Sequence, residues 1–397
     1  MRAKLLGITL ALLAMTACSE TVTPPSSGSN DVPTLVLTNG TLIDGTGADP
    51  ISDAVLVLAG SKVAAVGRRG DVPVPPATPT IDVGGGTILP GFINAHVHDA
   101  YSVENLTAWA RAGVTTVRDE GILSNQHSLS ELIAMRDADW SGPECARLVS
   151  AGWMISPPGG YGRLHVTSPE DARQKVEDEI DEGADLIKVT MEDGYGPASN
   201  LPLMSFDELT VIVEVAHERG ALVSAHVTEA ALMQTVVDAG VDDVAHVPWD
   251  SVPDALMRQA IAADIHVVTT LTVMEAYGVL AGSQANLGRF VAAGGKVAMG
   301  NDYTDVPQNG FDHFELGMPM HEITRMSQAG MSPGQIIVAS TRNAARVCGL
   351  EDELGTLEAG KVADVLVING DPLEDLGALT DVRLVIHGGA VIRDEGR

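Results

Sequence analysis

The sequence has few aromatic side chains and few positive charges. Aromatic residues make up 4% of the 397 residues, which argues against stacking platforms for sugars or nucleic-acid bases. Lysine and arginine number 24 against 53 aspartates and glutamates, which gives a formal net charge of −29. Such an excess repels phosphate backbones and anionic membrane surfaces. We therefore expect a small-molecule substrate and no nucleic-acid partner; association into a homo-oligomer stays open.

Cysteine is also scarce. The chain contains three, Cys18, Cys145 and Cys348. A single pair that is far apart in the sequence does not give the spacing pattern of a disulfide framework, even in an exported protein. We expect the last two to be free or buried thiols.

Long hydrophobic runs are confined to the N-terminus, since no later segment is long and apolar enough to span a bilayer. Arg2 and Lys4 precede the run LLGITLALLAM, which predicts a signal peptide over residues 1–17. The small residues before Cys18 resemble a bacterial lipobox, in which the cysteine is lipidated. We expect an exported lipoprotein facing the periplasm or the cell exterior. Because Met15 stands where leucine is usual, plain secretion is the next alternative, followed by a short buried helix.

The rest of the chain divides into segments that differ in composition and residue pattern. Residues 18–33 are rich in Ser, Thr and Pro, as in a flexible tether. Short β-rich runs punctuated by Gly, Asn and Asp dominate 34–88 and return over 351–397, so the two ends are expected to pair into one small sheet domain. Between them, over 89–350, strand-like and helical stretches alternate. Eight βα units predict an α/β fold with a closed parallel barrel, whose active site lies at the carboxyl ends of the strands.

Two of the helical stretches have clear ends. SPEDARQKVEDEIDEG and SFDELTVIVEVAHERG both begin with serine, carry a carboxylate in the first turn and end on glycine. Serine accepts hydrogen bonds from the free N–H groups of a helix start, and glycine tolerates the backbone that ends a helix. These signals predict two helices of the barrel.

Polar side chains occur at the ends of several predicted strands. His96 and His98 are two residues apart in GFINAHVH, so on a strand they would share one face. His226 lies in SAHV, His246 in VAHV and Asp302 in MGND, each at the end of its predicted strand. This placement indicates one site built from several strands.

A lysine belongs to the same set. Lys188 lies in LIKVT, where it would share the inner face of the fourth barrel strand with Leu186 and Thr190. A buried lysine is costly unless its charge is neutralised or used. We therefore include Lys188 in the candidate site.

This pattern closely resembles the amidohydrolase superfamily, in the branch with a carboxylated lysine. The resemblance rests on LPGFINAHVH, GADLIKV, the histidines His226 and His246, and GND, with support from GVTTVRD and GTLEAGKVADVLVINGDPLED. In the sequence of these motifs, the chain is most similar to the imidazolonepropionase-like hydrolases and Xaa-Pro dipeptidases. The resemblance implies a TIM-type (β/α)8 barrel, with a composite β-sandwich formed by both chain ends.

The resemblance also implies the chemistry. It assigns His96, His98 and Asp302 to one divalent metal, His226 and His246 to a second, and a CO2-derived carbamate on Lys188 to both. Zn2+ suits these ligands, with Mn2+, Co2+ or Fe2+ as other occupants. The nucleophile would be a bridging hydroxide, and Asp302 would pass its proton to the leaving nitrogen.

Purely structural roles for the same residues, or a simpler metal site, stay open as alternatives. Lys188 would then be an uncarboxylated, ion-paired lysine beside a single metal. The histidines would be structural core residues, and Asp302 would be a turn residue. His217, His266 and His387 are interpreted as structural, and His313 and His321 as ambiguous.

Substrate contacts must come from the loops. SPPGGYGRLH offers Tyr161, Arg163 and His165, and MEDGYGPASN offers Tyr195. Arg163 could hold a substrate carboxylate through a bidentate contact, with a surface loop arginine as the alternative interpretation. Relatives often carry histidine where Tyr161 stands, so their substrate preference does not transfer directly.

The expected function is hydrolysis of an amide or other C–N bond in a small peptide-like or N-acyl amino acid substrate, as in a dipeptidase. The first alternative is an esterase, lactonase or organophosphate hydrolase that uses the same site. The second is a catalytically silent binding lipoprotein.

Overall fold

The computed structural model describes residues 32–123, 127–194, 200–305 and 313–396. The predicted signal peptide, Cys18 and most of the predicted tether lie outside these ranges, as does Tyr195. The strands are β1 Leu35–Leu42, β2 Ile51–Ala59, β3 Lys62–Arg68, β4 Thr80–Asp82, β5 Thr87–Pro90, β6 Phe92–Val97, β7 Val114–Asp119, β8 Arg147–Ser150, β9 Ile155–Ser156, β10 Leu164–His165, β11 Leu186–Thr190, β12 Leu222–His226, β13 Asp243–Val244, β14 His266–Val268, β15 Val297–Ala298, β16 Val365–Ile368, β17 Val382–His387 and β18 Ala390–Asp394.

The α-helices lie mostly between the middle strands and in the segment that follows β15. They are α1 Val103–Arg111, α2 Leu129–Ala138, α3 Pro169–Asp181, α4 Phe206–Glu218, α5 Ala230–Ala239, α6 Asp254–Ala262, α7 Leu271–Ala276, α8 Leu280–Ala292, α9 Met320–Gln328, α10 Pro333–Ala339 and α11 Arg342–Val347. None of the helices in the described ranges is long and apolar enough to cross a membrane.

Strands from the two ends of the chain form one mixed sheet in the order β18-β17-β16-β5-β1-β2-β3, with β4 beside β1. β5 joins the two ends, because it pairs parallel to β1 and antiparallel to β16. Apolar side chains from both ends form a common core that includes Leu37, Leu56, Ile88, Val365 and Ile386, all fully buried. Burial of this apolar surface stabilises the pairing of residues that are far apart in the sequence.

The middle of the chain contributes parallel strands. β6, β7 and β8 pair in that order, and the second set runs β10-β9-β11-β12-β13-β14-β15. β6, β7 and β11 are buried along their whole length, as expected for strands covered on both faces. Backbone hydrogen bonds connect β6 to the segment after β15, from Ala95 N to Met299 O (2.8 Å) and from Asp302 N to His96 O (2.9 Å).

The two predicted helix signals are confirmed as α3 and α4. Ser168 and Ser205 are their N-caps, and Ser205 forms a reciprocal capping box with Glu208. Gly183 and Gly220 follow the helix ends with φ angles of 105° and 79°, in the left-handed region that glycine adopts without strain. Because these signals are local, they could be recognised without tertiary structure.

Cys145 and Cys348 are buried free thiols, as expected. Burial raises the pKa of the Cys348 thiol to about 12. This cysteine is therefore an inert core residue at neutral pH.

Candidate active site

The six predicted metal-site side chains meet at the carboxyl ends of the parallel strands. His96 lies on β6, Lys188 on β11 and His226 at the end of β12, whereas the other three lie just beyond their strands. All six line one pocket: His96, His98, Lys188, His226, His246 and Asp302. Residues as far apart in the sequence as His96 and Asp302 thus share one pocket, because parallel strands present their carboxyl ends on the same side.

Four of these side chains converge around Asp302. Asp302 Oδ1 lies 3.2 Å from His96 Nε2 and 3.3 Å from His98 Nε2. One ligand atom each from His96, His246 and Asp302 lie within 4.8 Å of one another, close enough to surround a single cation. Imidazole nitrogen and carboxylate oxygen are ligands that Zn2+ and similar divalent ions accept.

His246, which belongs to this cluster, also faces His226. His246 Nε2 lies 2.9 Å from His226 Nδ1. The His246 ring is also close to His96, with ring centroids 4.8 Å apart. This second pair of nitrogen atoms therefore adjoins the first cluster.

In each of the four imidazoles, one ring nitrogen contacts a partner outside the cluster. This contact determines which of the two ring nitrogens faces the pocket. Such outer partners orient metal-binding histidines and increase their basicity. The pairs are His96 Nδ1 with Ala245 O (3.0 Å), His98 Nδ1 with Gly121 O (2.9 Å), His246 Nδ1 with Thr270 Oγ1 (2.9 Å) and His226 Nε2 with Glu192 Oε2 (3.4 Å).

Two residues of this arrangement have left-handed backbone conformations. Asp302 has a φ of 57° and Thr270 a φ of 41°. Aspartate tolerates this region, but a β-branched threonine is strained there. The strain occurs where Thr270 must direct its hydroxyl towards His246.

Beneath the pocket Lys188 contacts a carboxylate that sequence reasoning did not single out. Its Nζ donates to Glu120 Oε2, and both side chains are buried. Arg118 Nε lies 2.8 Å from Glu120 Oε1, and Arg118 Nη1 lies 2.7 Å from Asp243 Oδ2. Ser224 Oγ is 2.8 Å from an oxygen of each carboxylate. Two cations and two carboxylates therefore form one buried cluster.

The electrostatic environment favours neutral imidazoles at three of the four histidines. Burial lowers the pKa of His96 to about 4 and also lowers the pKa values of His226 and His246. Burial acts in the same direction on His98, but the hydrogen bond to Asp302 raises its pKa to about 9. A metal ligand must be unprotonated, so a metal held by His98 would displace the proton of its imidazole.

The carboxylate of Asp302 is ionised. Burial would raise its pKa, but His96 and His98 hold it well below the usual value. The donor atoms, their convergence and the ionised Asp302 together fit a divalent metal.

The predicted substrate-binding residues do not all lie at the pocket. Tyr161 lines the pocket, where its ring stacks on His226 with centroids 4.5 Å apart. Arg163 and His165 are exposed and are not among the described residues that line the pocket. A role of these two residues in substrate binding stays a prediction, and Tyr195 lies outside the described residues.

Sequence reasoning missed Glu120, Glu192 and Tyr277. Glu120 directly follows β7, two residues after Arg118, so period-two alternation places both on the inner face. The run VRDE at the end of an apolar strand was the available signal. Glu192 and Tyr277 lie in loops, where no periodic pattern in the sequence indicates the direction of a side chain.

The comparisons with known proteins agree with this geometry. The model of the amidohydrolase family matches residues 87–392. Ochratoxinase from Aspergillus niger is 26% identical, with 93% of this chain and 89% of that protein covered. Imidazolonepropionase from Fusobacterium nucleatum subsp. nucleatum is 23% identical, with 80% of this chain and 85% of that protein covered.

Solved structures show the same fold. A Xaa-Pro dipeptidase with bound methionine superposes with a TM-score of 0.77 at 24% identity, covering 90% of this chain and 99% of that one. A. niger ochratoxinase has a TM-score of 0.79 at 22% identity, covering 92% and 97%. The family match and the relatives in sequence define the class of the protein, a hydrolase of C–N bonds.

The chain belongs to the amidohydrolase family. The superfamily resemblance that the sequence motifs indicated is therefore confirmed.

Proposed function

We propose that the protein is a binuclear metal-dependent hydrolase that cleaves an amide or related C–N bond of a small peptide-like or N-acyl amino acid substrate. The observation that carries the proposal is the convergence of His96, His98 and Asp302 beside the facing pair His226 and His246. The relatives named ochratoxinase and Xaa-Pro dipeptidase support the choice of substrate class.

The residues divide into two metal-binding groups. His96, His98 and Asp302 would hold one ion, and His226 and His246 would hold the other. Zn2+ is the proposed metal. When bound, the metals lower the pKa of water and polarise the scissile carbonyl.

Lys188 is proposed to bridge the two groups as a carbamate. Reaction of its ammonium form with CO2 forms an N–C bond and releases two protons, so the side chain changes from a cation to an anion. Lys188 must leave its contact with Glu120 in this step, since two anions would otherwise adjoin. Arg118, which already contacts Glu120, then remains as the partner of that carboxylate.

Asp302 is proposed to move the proton. Its carboxylate accepts a proton from the attacking water and delivers it to the leaving nitrogen. The C–N bond breaks, and the products are a carboxylic acid and an amine. The backbone hydrogen bond from Asp302 N to His96 O fixes the carboxylate beside the ligands of the first group.

We also propose that the parallel strands close into a (β/α)8 barrel. The hydrogen bonds between β6 and the segment after β15 support closure, because they connect the first and last of these strands. Closure would hold all six site residues at a common rim.

Metal analysis tests the binuclear site. Protein purified with zinc supplied should contain close to two ions per chain. A stoichiometry of one together with full activity would reject the binuclear proposal.

A substrate screen tests the reaction. Dipeptides and N-acyl amino acids are compared with aryl esters, lactones and phosphotriesters on the same zinc-loaded protein. Preference for the C–N substrates supports the proposal, whereas faster turnover of the oxygen esters would make the enzyme an esterase, lactonase or organophosphate hydrolase. No turnover of any class would point to a binding protein.

Lys188→Ala tests the carbamate. The variant should lose most of its metal and activity, and short carboxylic acids such as propionate should restore part of both by replacing the missing anion. Lys175→Ala, which changes a partly exposed lysine of α3, is the control. Density for a bare amine on Lys188 in an active, metal-loaded protein would contradict carboxylation.

For location, we propose export through residues 1–17 and membrane attachment through lipidated Cys18. Cys18→Ser should release the mature protein into the soluble fraction. Retention of the full-mass wild-type chain in the cytosol would exclude the signal peptide.

A further inference from the structure

We propose that Glu322 is a positioning residue for the metal site: its carboxylate caps helix α7 in place of Thr270, so that the Thr270 hydroxyl is available to orient His246. The inference rests on the proposed function, because it concerns one ligand of the proposed second metal. It adds a requirement outside the pocket, since Glu322 lies on α9 and is not among the described residues that line the pocket.

The first observation is the way in which Thr270 uses its hydroxyl. Thr270 is the N-cap residue of α7, where a threonine side chain normally accepts a hydrogen bond from a backbone N–H of the first helical turn. Among the described contacts, its hydroxyl makes no such bond. It lies 2.9 Å from His246 Nδ1 instead, and the residue has a left-handed φ of 41° that strains a β-branched side chain. The hydroxyl of Thr270 therefore serves His246 rather than the helix.

The second observation is that a side chain from another helix takes over the cap. Glu322 Oε1 accepts a hydrogen bond from Leu271 N (2.9 Å), and Glu322 Oε2 accepts from Thr272 N (2.7 Å) and Thr272 Oγ1 (2.7 Å). These are the first two N–H groups of α7, which have no partner within the helix. Because each carboxylate oxygen accepts from a different backbone N–H, an amide with a single oxygen would not replace the carboxylate fully.

Burial makes the cap and the histidine contact compete. Glu322, Thr270 and Thr272 are fully buried, so solvent does not provide substitute partners. Buried N–H groups without an acceptor are costly. If the carboxylate were removed, the ordinary N-cap arrangement would bring the Thr270 hydroxyl to the N–H of Thr272 and relieve the strained backbone. The helix start would then be satisfied at the expense of the contact with His246.

That contact matters for metal binding. Because His246 Nδ1 contacts Thr270, the other ring nitrogen, Nε2, faces the pocket, where it lies beside His226. With a metal on Nε2, the ring proton is on Nδ1 and is donated to Thr270 Oγ1. Such an outer partner fixes the orientation of the ring and increases the basicity of the ligand. Loss of the Glu322 cap should therefore weaken metal binding through Thr270.

A second contact between α7 and α9 provides a matched control. At the other end of α7, Glu275 Oε2 lies 2.8 Å from His321 Nε2 and 2.6 Å from Arg325 Nε. This contact is partly exposed and does not involve the N–H groups at the start of the helix. Glu275→Gln therefore weakens the attachment of α7 to α9 without removing its cap.

The test measures metal affinity and needs no turnover. The metal-free full chain is titrated with Zn2+ in competition with a chromophoric chelator. Glu322→Gln and Thr270→Val should each weaken the binding of one ion by about 10–100-fold. Thr270→Val keeps the β-branched shape and removes only the hydroxyl, whereas Thr270→Ser keeps the hydroxyl and should retain nearly the wild-type affinity. Glu275→Gln should also retain it.

The double variant tests whether Glu322 acts through Thr270. If both substitutions remove the same contact, Glu322→Gln combined with Thr270→Val should lose no more affinity than the weaker-binding single variant. Circular dichroism of each metal-free variant verifies that it is folded. Glu322→Asp keeps both oxygens on a shorter side chain, and it should show a loss in the same direction if Glu322→Gln does not fold.

The results that overturn the inference differ from those that overturn the proposed function. Wild-type Zn2+ affinity in folded Glu322→Gln would overturn the inference, and so would fold losses that multiply in the double variant. An equal loss in Glu275→Gln would reduce the effect to general packing of α7. One ion per wild-type chain would contradict the binuclear site, while the affinity of that ion in Glu322→Gln would still decide the inference. A wild-type chain that binds no divalent ion would overturn both.

Discussion

Lys188 and Glu120 form an ion pair in the interior formed by the parallel strands, with both side chains almost completely buried. Burial would raise the pKa of Glu120, but Arg118 and Lys188 together lower it to about 2. The lysine that the sequence placed on an inner strand face thus has a carboxylate partner in the metal-free protein.

The ion pair should contribute to stability only while it is complete. In metal-free protein, Lys188→Met and Glu120→Gln should each lower the free energy of unfolding by about 3–5 kcal/mol, because each leaves the buried cluster of two cations and two carboxylates with one charge unbalanced. The double variant should lose much less than the sum. Urea denaturation with a chelator present measures all three, and additive losses would show that the two groups do not interact.

Asp302→Asn should separate proton transfer from metal binding. Asparagine has nearly the same size and also tolerates the left-handed φ of 57°, but it cannot accept a proton near neutral pH. We expect kcat and kcat/KM to fall equally, on the order of 10²–10⁴-fold, with metal content largely retained.

A matched control is Asp264→Asn, which makes the same change at an exposed position with a φ of 59°. It should leave activity unchanged. If Asp302→Asn instead loses its metal, Asp302 acts chiefly as a ligand, and an unchanged kcat at full metal content would remove it from the mechanism.

Glu192 should affect metal affinity through His226. Its carboxylate accepts hydrogen bonds from Thr228 Oγ1 (2.6 Å) and Gly194 N (2.9 Å) and contacts His226 Nε2 (3.4 Å). Removing such an outer partner weakens metal binding by roughly 10–100-fold. We expect this loss in Glu192→Ala and a smaller one in Glu192→Gln, measured by competition with a chromophoric chelator.

Thr228→Val provides the comparison, because it removes one hydrogen bond to Glu192 but leaves the carboxylate next to His226. Its metal affinity should lie between those of wild type and Glu192→Gln. Wild-type affinity in Glu192→Ala would show that His226 needs no carboxylate partner.

Glu179 should make stability depend on pH at a site away from the metal ligands. Burial raises the pKa of its carboxyl group to about 8, although its Oε2 accepts a hydrogen bond from Trp153 N (2.7 Å). The unfolded value is near 4.5, so between about pH 4.5 and 8 the folded state binds more protons than the unfolded state. The free energy of unfolding contributed by this group is therefore largest below pH 4.5 and falls as pH rises to about 8.

Glu179→Gln keeps an acceptor oxygen and removes the ionisation. The variant should be more stable than wild type at pH 8.5, by at most about 5 kcal/mol, since one pKa unit corresponds to about 1.4 kcal/mol. Urea denaturation at several pH values measures the difference, with the more exposed Glu177→Gln as control. Parallel pH profiles for wild type and Glu179→Gln would contradict the raised pKa.

The sequence alone determined those features that depend on local patterns. The capped helices α3 and α4 followed from serine and glycine at their ends, and the buried parallel strands followed from continuous apolar runs. The six polar residues at strand ends could be recognised because parallel strands bring their carboxyl ends to one side, whatever the exact order of pairing.

Tertiary structure decided the contacts across the fold. Glu120 reaches Lys188 from a different strand, and β5 joins two sheet segments from opposite ends of the chain. No periodic pattern in the sequence indicates either contact, since each depends on which strands become neighbours and on their register. The loops also differ for this reason. Tyr161 lines the pocket, whereas Arg163, two residues further along the chain, is not among its described lining residues, because loop direction is determined by packing against the rest of the fold rather than by spacing along the chain.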